Sequence, residues 1–187
     1  MKLVSLNTAR ATSLLTDQGE VLSGIRKQPR QGPVAVHALG LEGDEQADPS
    51  VHGGIHKAIY AYPQEHYAFW QTVRAQAGAQ GWDEPLRPAA LGENLTITGL
   101  LEADAWIGDV LRFPDCELAV SEPRQPCFKF NAVMGFKQAA KMMVKSGWCG
   151  FYLAVLRPGT IEAGQSFELI PGPRAVNIRE LFQARGG

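Results

Sequence analysis

Lys57-Ala58-Ile59-Tyr60-Ala61-Tyr62-Pro63-Gln64-Glu65-His66-Tyr67 changes character halfway along its length. Lys57 to Tyr62 is an apolar and aromatic run of strand length, and it reads as a buried strand. Pro63 suits the first turn of a helix, where its missing N–H costs nothing. Tyr67, Trp70, Val73 and Ala77 then recur every three to four residues and form one apolar stripe. The stretch predicts a buried strand feeding directly into a helix.

Outward from it, most of the chain reads as short strands punctuated by Gly and Pro. Leu3 to Thr8 alternates weakly. Val34, Val36 and Ala38 alternate and run into the loop Gly40-Leu41-Glu42-Gly43-Asp44. Asn94 to Thr98 alternates and ends at Gly99. Trp106 to Phe113, Glu117 to Ser121, Phe151 to Leu156 and Gln165 to Ile170 complete the set. A second helix is predicted from Phe136 to Lys145, with Phe136, Ala139, Ala140 and Met143 on one face and Gly147 as its stop. A short third helix is predicted near Arg174 to Gln183. Ala75 to Pro88 reads as a surface loop, and Arg185-Gly186-Gly187 as a frayed tail. The expectation is a mainly β fold with flanking helices. Short strands at close spacing point to a closed or nearly closed β-barrel, because closure removes unpaired edges.

With 187 residues, 45% of them hydrophobic and 20% charged, the chain is long enough for one ordinary globular core. A net charge of −1 supplies no global field for nucleic acid or an anionic membrane, so neither is expected as a partner. No signal-peptide h-region or membrane-length apolar run is present, which gives a cytoplasmic expectation. The three cysteines, Cys116, Cys127 and Cys149, include no CxxC pair, so reduced thiols are expected rather than a disulfide framework or zinc knuckle.

Chemistry concentrates in Ser121-Glu122-Pro123-Arg124-Gln125-Pro126-Cys127-Phe128-Lys129. Positive charge favours a thiolate, and Arg124 and Lys129 flank Cys127. Pro123 and Pro126 stiffen the approach and hold it extended. Two readings stand on the residues alone: a reactive or metal-binding thiolate, and a cysteine that merely packs. In His52-Gly53-Gly54-Ile55-His56-Lys57, the HxxxH spacing of a helical zinc site is spoiled by two adjacent glycines. A Gly-Gly turn instead directs backbone N–H groups at an anion, with His52 and Lys57 adding charge, or it simply enters the strand. In Leu91-Gly92-Glu93-Asn94, Gly92 permits close backbone approach and Asn94 offers both a donor and an acceptor. Asp44 reads as a cap of its own loop. His37, His66, Cys116 and Cys149 are assigned no role.

In this order these segments resemble the MOSC domain family, and most closely its short, stand-alone bacterial members of the YiiM type. The resemblance is carried by Gly43-Asp44, His52-Gly53-Gly54 with Lys57-Ala58, Gly92-Glu93-Asn94-Leu95, Ile107-Gly108-Asp109, Pro126-Cys127-Phe128-Lys129 and Gly150-Phe151-Tyr152. It implies a barrel domain over residues 1–172, followed by a short helical stub at 173–187 in place of the usual C-terminal three-helix domain. It implies a molybdenum cofactor, a molybdopterin carrying Mo, with Cys127 as catalytic residue and metal ligand. His52, Gly53, Gly54, Lys57, Asn94, Arg124 and Lys129 are then expected around the cofactor. The implied activity is reduction of N-hydroxylated compounds, such as hydroxylaminopurine-type bases, to amines. A separate flavin or iron–sulfur protein would donate the electrons. The alternative is a carrier of sulfur or cofactor, without turnover, that uses Cys127 as persulfide or ligand. The sequence departs from the family at Ala154, where an arginine is common, and at Gln165, where an aspartate is common.

Overall fold

A computed structural model of the chain describes residues 1–47 and 53–186. Among the described residues thirteen strands occur in order: β1 (Lys2–Thr8), β2 (Thr12–Thr16), β3 (Gly19–Ser23), β4 (Gln28–Pro29), β5 (Val34–His37), β6 (Gly40–Leu41), β7 (Ile59–Pro63), β8 (Leu95–Thr98), β9 (Val110–Arg112), β10 (Glu117–Pro123), β11 (Phe151–Arg157), β12 (Gly159–Ile161) and β13 (Glu168–Ile170). The α-helices among the described residues are α1 (Tyr67–Gln76), α2 (Phe128–Met134), α3 (Ala139–Ser146) and α4 (Ile178–Gly186).

The principal sheet has eight strands in the order β13-β9-β10-β11-β7-β8-β1-β4. It is mainly β with flanking helices, as expected, but it is not a closed barrel. β13 and β4 are its edges. The ends do approach one another: Lys2 bridges Ser166, Leu3 N–H donates to Gln165 O, and Gly164 N–H donates to Leu3 O. The backbone just before β13 is thus spent on the start of β1, while β13 itself turns to β9, so no continuous ladder forms. A three-stranded sheet, β12-β5-β6, and the hairpin β2-β3 flank the main sheet.

The Lys57–Tyr67 stretch behaves largely as read. β7 is buried along its whole length. Pro63 ends that strand rather than opening a helix, a single 3-10 turn follows at Gln64–His66, and α1 then begins. Tyr67, Trp70 and Val73 are buried, as their spacing predicts. β7 and β8 are parallel, so a crossover must join them, and α1 with the loop after it supplies that crossover. Other bounds move. Lys57 belongs to a 3-10 turn at Ile55–Lys57, and only Val110–Arg112 of the Trp106–Phe113 run is strand. The helix expected from Phe136 to Lys145 is α3, closed by the left-handed Gly147 as read, and an unexpected helix, α2, precedes it and is closed by the left-handed Gly135. α4 starts later than Arg174 because Asn177 caps it: Asn177 Oδ1 accepts from Glu180 N–H at 2.8 Å.

Beneath the sheet lies a buried carboxylate. Glu93 is fully buried and accepts from Ala89 N–H and Leu91 N–H, both at 3.0 Å, from Thr96 Oγ1 at 2.9 Å and from Tyr67 OH. Burial pushes its pKa up, and these donors pull against that shift. Glu93 thereby ties α1, the 89–92 turn and β8 together. Glu93→Ala should cost roughly 3 kcal/mol or more, since it orphans several buried donors. Glu117→Ala, which removes only an exposed pair with Arg112, should cost less than about 1 kcal/mol. Urea unfolding of both variants checks the contrast, and equal losses would sink this account of Glu93.

Candidate functional site

β10 and β11 pair antiparallel, and their register shifts between Val120 and Glu122. Such an irregularity bends a strand and re-aims the residues beyond it. Here it delivers Pro123 and Arg124 inward, against Gly150 and β7. Gly150 has φ +64, and a Cβ there would sit 2.5 Å from Ala61 O and 2.8 Å from the Tyr60 and Tyr62 rings. Only glycine lets the start of β11 lie this close to β7. The chain then passes through Gln125-Pro126 to Cys127, whose backbone is extended (φ −126°, ψ 176°) and which caps α2. The stiff approach read from the prolines is therefore present, and the helix that receives it was not foreseen.

These elements surround a cleft with about 710 Å³ of empty space, part of it continuous with solvent. Arg124 lies beneath it, buried, with its guanidinium carbon 5.0 Å from the Tyr60 ring centroid and 4.8 Å from that of Phe130. Its Nη1 also approaches Met143 Sδ at 3.6 Å. Burial works against its charge, but Tyr60, Tyr152 and Cys127 around it outweigh burial and keep it firmly protonated. The paired rings stabilise a desolvated cation by about 2 kcal/mol or more.

The opposite wall is an interlocked polar set. Lys27 Nζ donates to both carboxylate oxygens of Asp44, at 2.5 and 2.8 Å. Asp44 also accepts from Ala9 N–H and from Asn94 Nδ2, each at 2.8 Å. Asn94 Nδ2 reaches Asn7 O at 3.2 Å, and Asn94 Oδ1 accepts from Tyr60 N–H at 3.0 Å. Burial lowers the Lys27 pKa, and Asp44 pulls it back. Gly92 (φ +85°) allows Ile25 against this wall, since a Cβ would stand 2.5 Å from Ile25 Cγ1.

The cleft brings together Cys127, Arg124, Lys57, Lys129 and Asn94. Lys129 Nζ also donates to Leu22 O at 3.2 Å, which fastens α2 to the hairpin. Asn94 lines the cleft, but its amide is occupied by Asp44, Asn7 and Tyr60. Gly53 and Gly54 do not line it. Gly54 (φ +88°) opens the 3-10 turn, and its N–H donates to Gln46 Oε1 at 2.9 Å. His52 lies outside the described residues, and His56 is exposed on that turn. Asp44 does not serve as a cap of its own loop: its carboxylate accepts instead from Lys27 Nζ, Ala9 N–H and Asn94 Nδ2. The sequence reading gave no site role to Lys27, Tyr60 or Tyr152, although Tyr152 falls in a segment that carries the resemblance. Tyr152 lines the cleft and is hydrogen-bonded by Arg124; burial raises its pKa, with Arg124 opposing. Ala154 lies two residues along β11 from Tyr152 and so on the same face.

The other thiols are inert by placement. Cys116 is fully buried, with its pKa pushed up to about 11 by burial. Cys149 is fully buried too, its thiol raised by burial and pointed at Gly150 O. Among the described residues, no three His, Cys, Asp or Glu side chains stand together to hold a bare ion, and no helix is long and apolar enough to cross a membrane.

Comparison with known proteins gives a family and several relatives. The family model described as "MOSC domain" matches residues 48–168. The chain is 37% identical over 178 residues to the uncharacterized protein YflK of Bacillus subtilis (strain 168), covering 95% of this chain and 77% of that protein. It is 36% identical over 177 residues to a protein of Gibberella moniliformis named "Reductase", covering 89% of this chain and 30% of that one. The crystal structure of YiiM from Geobacillus stearothermophilus aligns with a TM-score of 0.78 at 31% identity, covering 98% of this chain and 83% of that one.

Native protein should therefore react rapidly with a thiol reagent at one cysteine of the three present, Cys127, and at all three once unfolded. Absorbance at the Ellman wavelength with and without guanidinium gives the count. Rapid native labelling of Cys116 or Cys149 would contradict the assignment.

Proposed function

This chain belongs to the MOSC domain family, and on that premise we propose that it is a molybdenum-cofactor oxidoreductase reducing N-hydroxylated compounds to amines, with Cys127 as the protein thiolate on molybdenum. The observation that carries the reading is the pairing of an accessible Cys127 with the buried Arg124 in one cleft. The donor set fits such a group. A soft thiolate suits molybdenum–sulfur chemistry. Arg124, Lys57 and Lys129 line the cleft and offer cationic donors for a pterin phosphate. The relative named as a reductase supports an oxidoreductase over a passive carrier.

When bound, the cofactor supplies the two-electron reduction of the N–O bond, a step that also consumes two protons and releases water. The chain's own residues do the rest. Cys127 fixes the cofactor at a set point, because extended backbone and helix α2 hold it on either side. Arg124 keeps positive charge under the thiolate. Tyr152, its pKa raised, holds a proton on its hydroxyl inside the cleft through the neutral range. The wall built by Lys27, Asp44 and Asn94 excludes water from that side. Electrons come from a separate flavin or iron–sulfur protein.

Expression in a cofactor-competent host should yield protein carrying molybdenum and a fluorescent pterin. Cys127→Ser should lose most of the molybdenum and the reductase activity towards a hydroxylaminopurine. Arg124→Gln should lower cofactor content roughly 10–100-fold through the ligand it supports. Metal analysis and pterin fluorescence read this directly, and wild-type protein without either would end the proposal.

A further inference from the structure

A second depression lies beside the cleft, and Lys27 is a wall of both. It is an open groove with about 1350 Å³ of empty space. Arg26, Arg74 and Arg87 line it against one carboxylate, Glu84. Among the described residues none of these arginines has a carboxylate within ion-pair distance, whereas five other ion pairs form elsewhere. Arg74 is fixed in place, its Nε donating to Met134 O at 3.1 Å. Ala89, on the same groove, has φ +67°, a conformation that costs a non-glycine residue energy. It is held there by its N–H to Glu93 Oε1 and by Gly92 N–H to its own carbonyl. A groove lined by three arginines and a single carboxylate suits a phosphate, above all through arginine's forked donors.

We propose that this groove binds the phosphate of the substrate, so that the N-hydroxylated base is taken as a 5′-nucleotide rather than as free base or nucleoside. The proposal rests on the reading of the Cys127 cleft as the reducing site. The base would enter the cleft, and the phosphate would lie across Lys27 on the arginines.

The test needs no turnover. Adenosine 5′-monophosphate and adenosine are titrated calorimetrically into the purified protein, wild type beside Arg26→Gln/Arg87→Gln, both exposed positions whose change leaves the core intact. The expected result is nucleotide binding at least about tenfold tighter than nucleoside, with the difference lost in the double variant and weakened by salt. Equal binding of the two ligands would overturn the proposal. So would a preference that survives in the double variant but disappears in Lys57→Gln/Lys129→Gln, since the phosphate would then sit in the Cys127 cleft. Protein that prefers the nucleotide through Arg26 and Arg87 yet carries no molybdenum upholds the groove and defeats only the reductase reading. Molybdenum-bearing, active protein without the preference defeats only the groove.

Discussion

A guanidinium buried between two aromatic rings sets the terms for everything around it. Arg124 is taken out of water, which is costly unless the charge is compensated. Among the described residues it makes no ion pair with a carboxylate. Tyr60 and Phe130 supply their ring faces, Met143 its sulfur and Tyr152 its hydroxyl. A cation solvated in this way is left with attraction to spare for an anion in the cleft above it. Cys127 is the residue placed to use that attraction.

The surrounding architecture holds this cation in place. Tyr60 is pinned at both ends, its OH donating to Cys149 O at 2.8 Å and its N–H to Asn94. Gly150 N–H donates to the buried Glu102, which also pairs with His66 at 2.8 Å, and His66 stacks on Trp148. Phe130 meets Trp70 edge-on, so α1 and α2 share one aromatic cluster behind the site. The Arg124 side of the cleft is therefore braced by β7, β11, α2 and packed rings, while Lys27, Asp44 and Asn94 reach it from loops.

Much of this was legible in the sequence where periodicity is strong. β1, β5, β7, β8, β10 and β11 and the stripe of α1 follow from apolar spacing. The hairpin β2-β3 was not legible because Leu14 alone of Thr12–Thr16 is buried, so the segment carries almost no alternation. α2 was hidden by the two prolines before it, which announce extended chain and say nothing of the seven helical residues after them. Closure of the sheet was over-read, because short strands at close spacing do not reveal that the 164–167 backbone is spent on β1.

The site divides along the same line. Arg124, Cys127 and Lys129 are neighbours in sequence, and the cleft keeps them together. Asn94 looked like an open donor, yet its amide is claimed by Asp44, fifty residues away, and by Asn7, on β1. Lys27 comes from a loop and Tyr152 from β11, and only the fold reveals that they line one cleft. The central claim is that Cys127 bonds directly to molybdenum over the Arg124 cation. Molybdenum K-edge absorption, normalised per metal atom on wild type and on the residual molybdenum-bearing fraction of Cys127→Ser, tests it most directly. The account predicts one fewer sulfur neighbour around the metal in the variant; identical sulfur shells in the two proteins would contradict it.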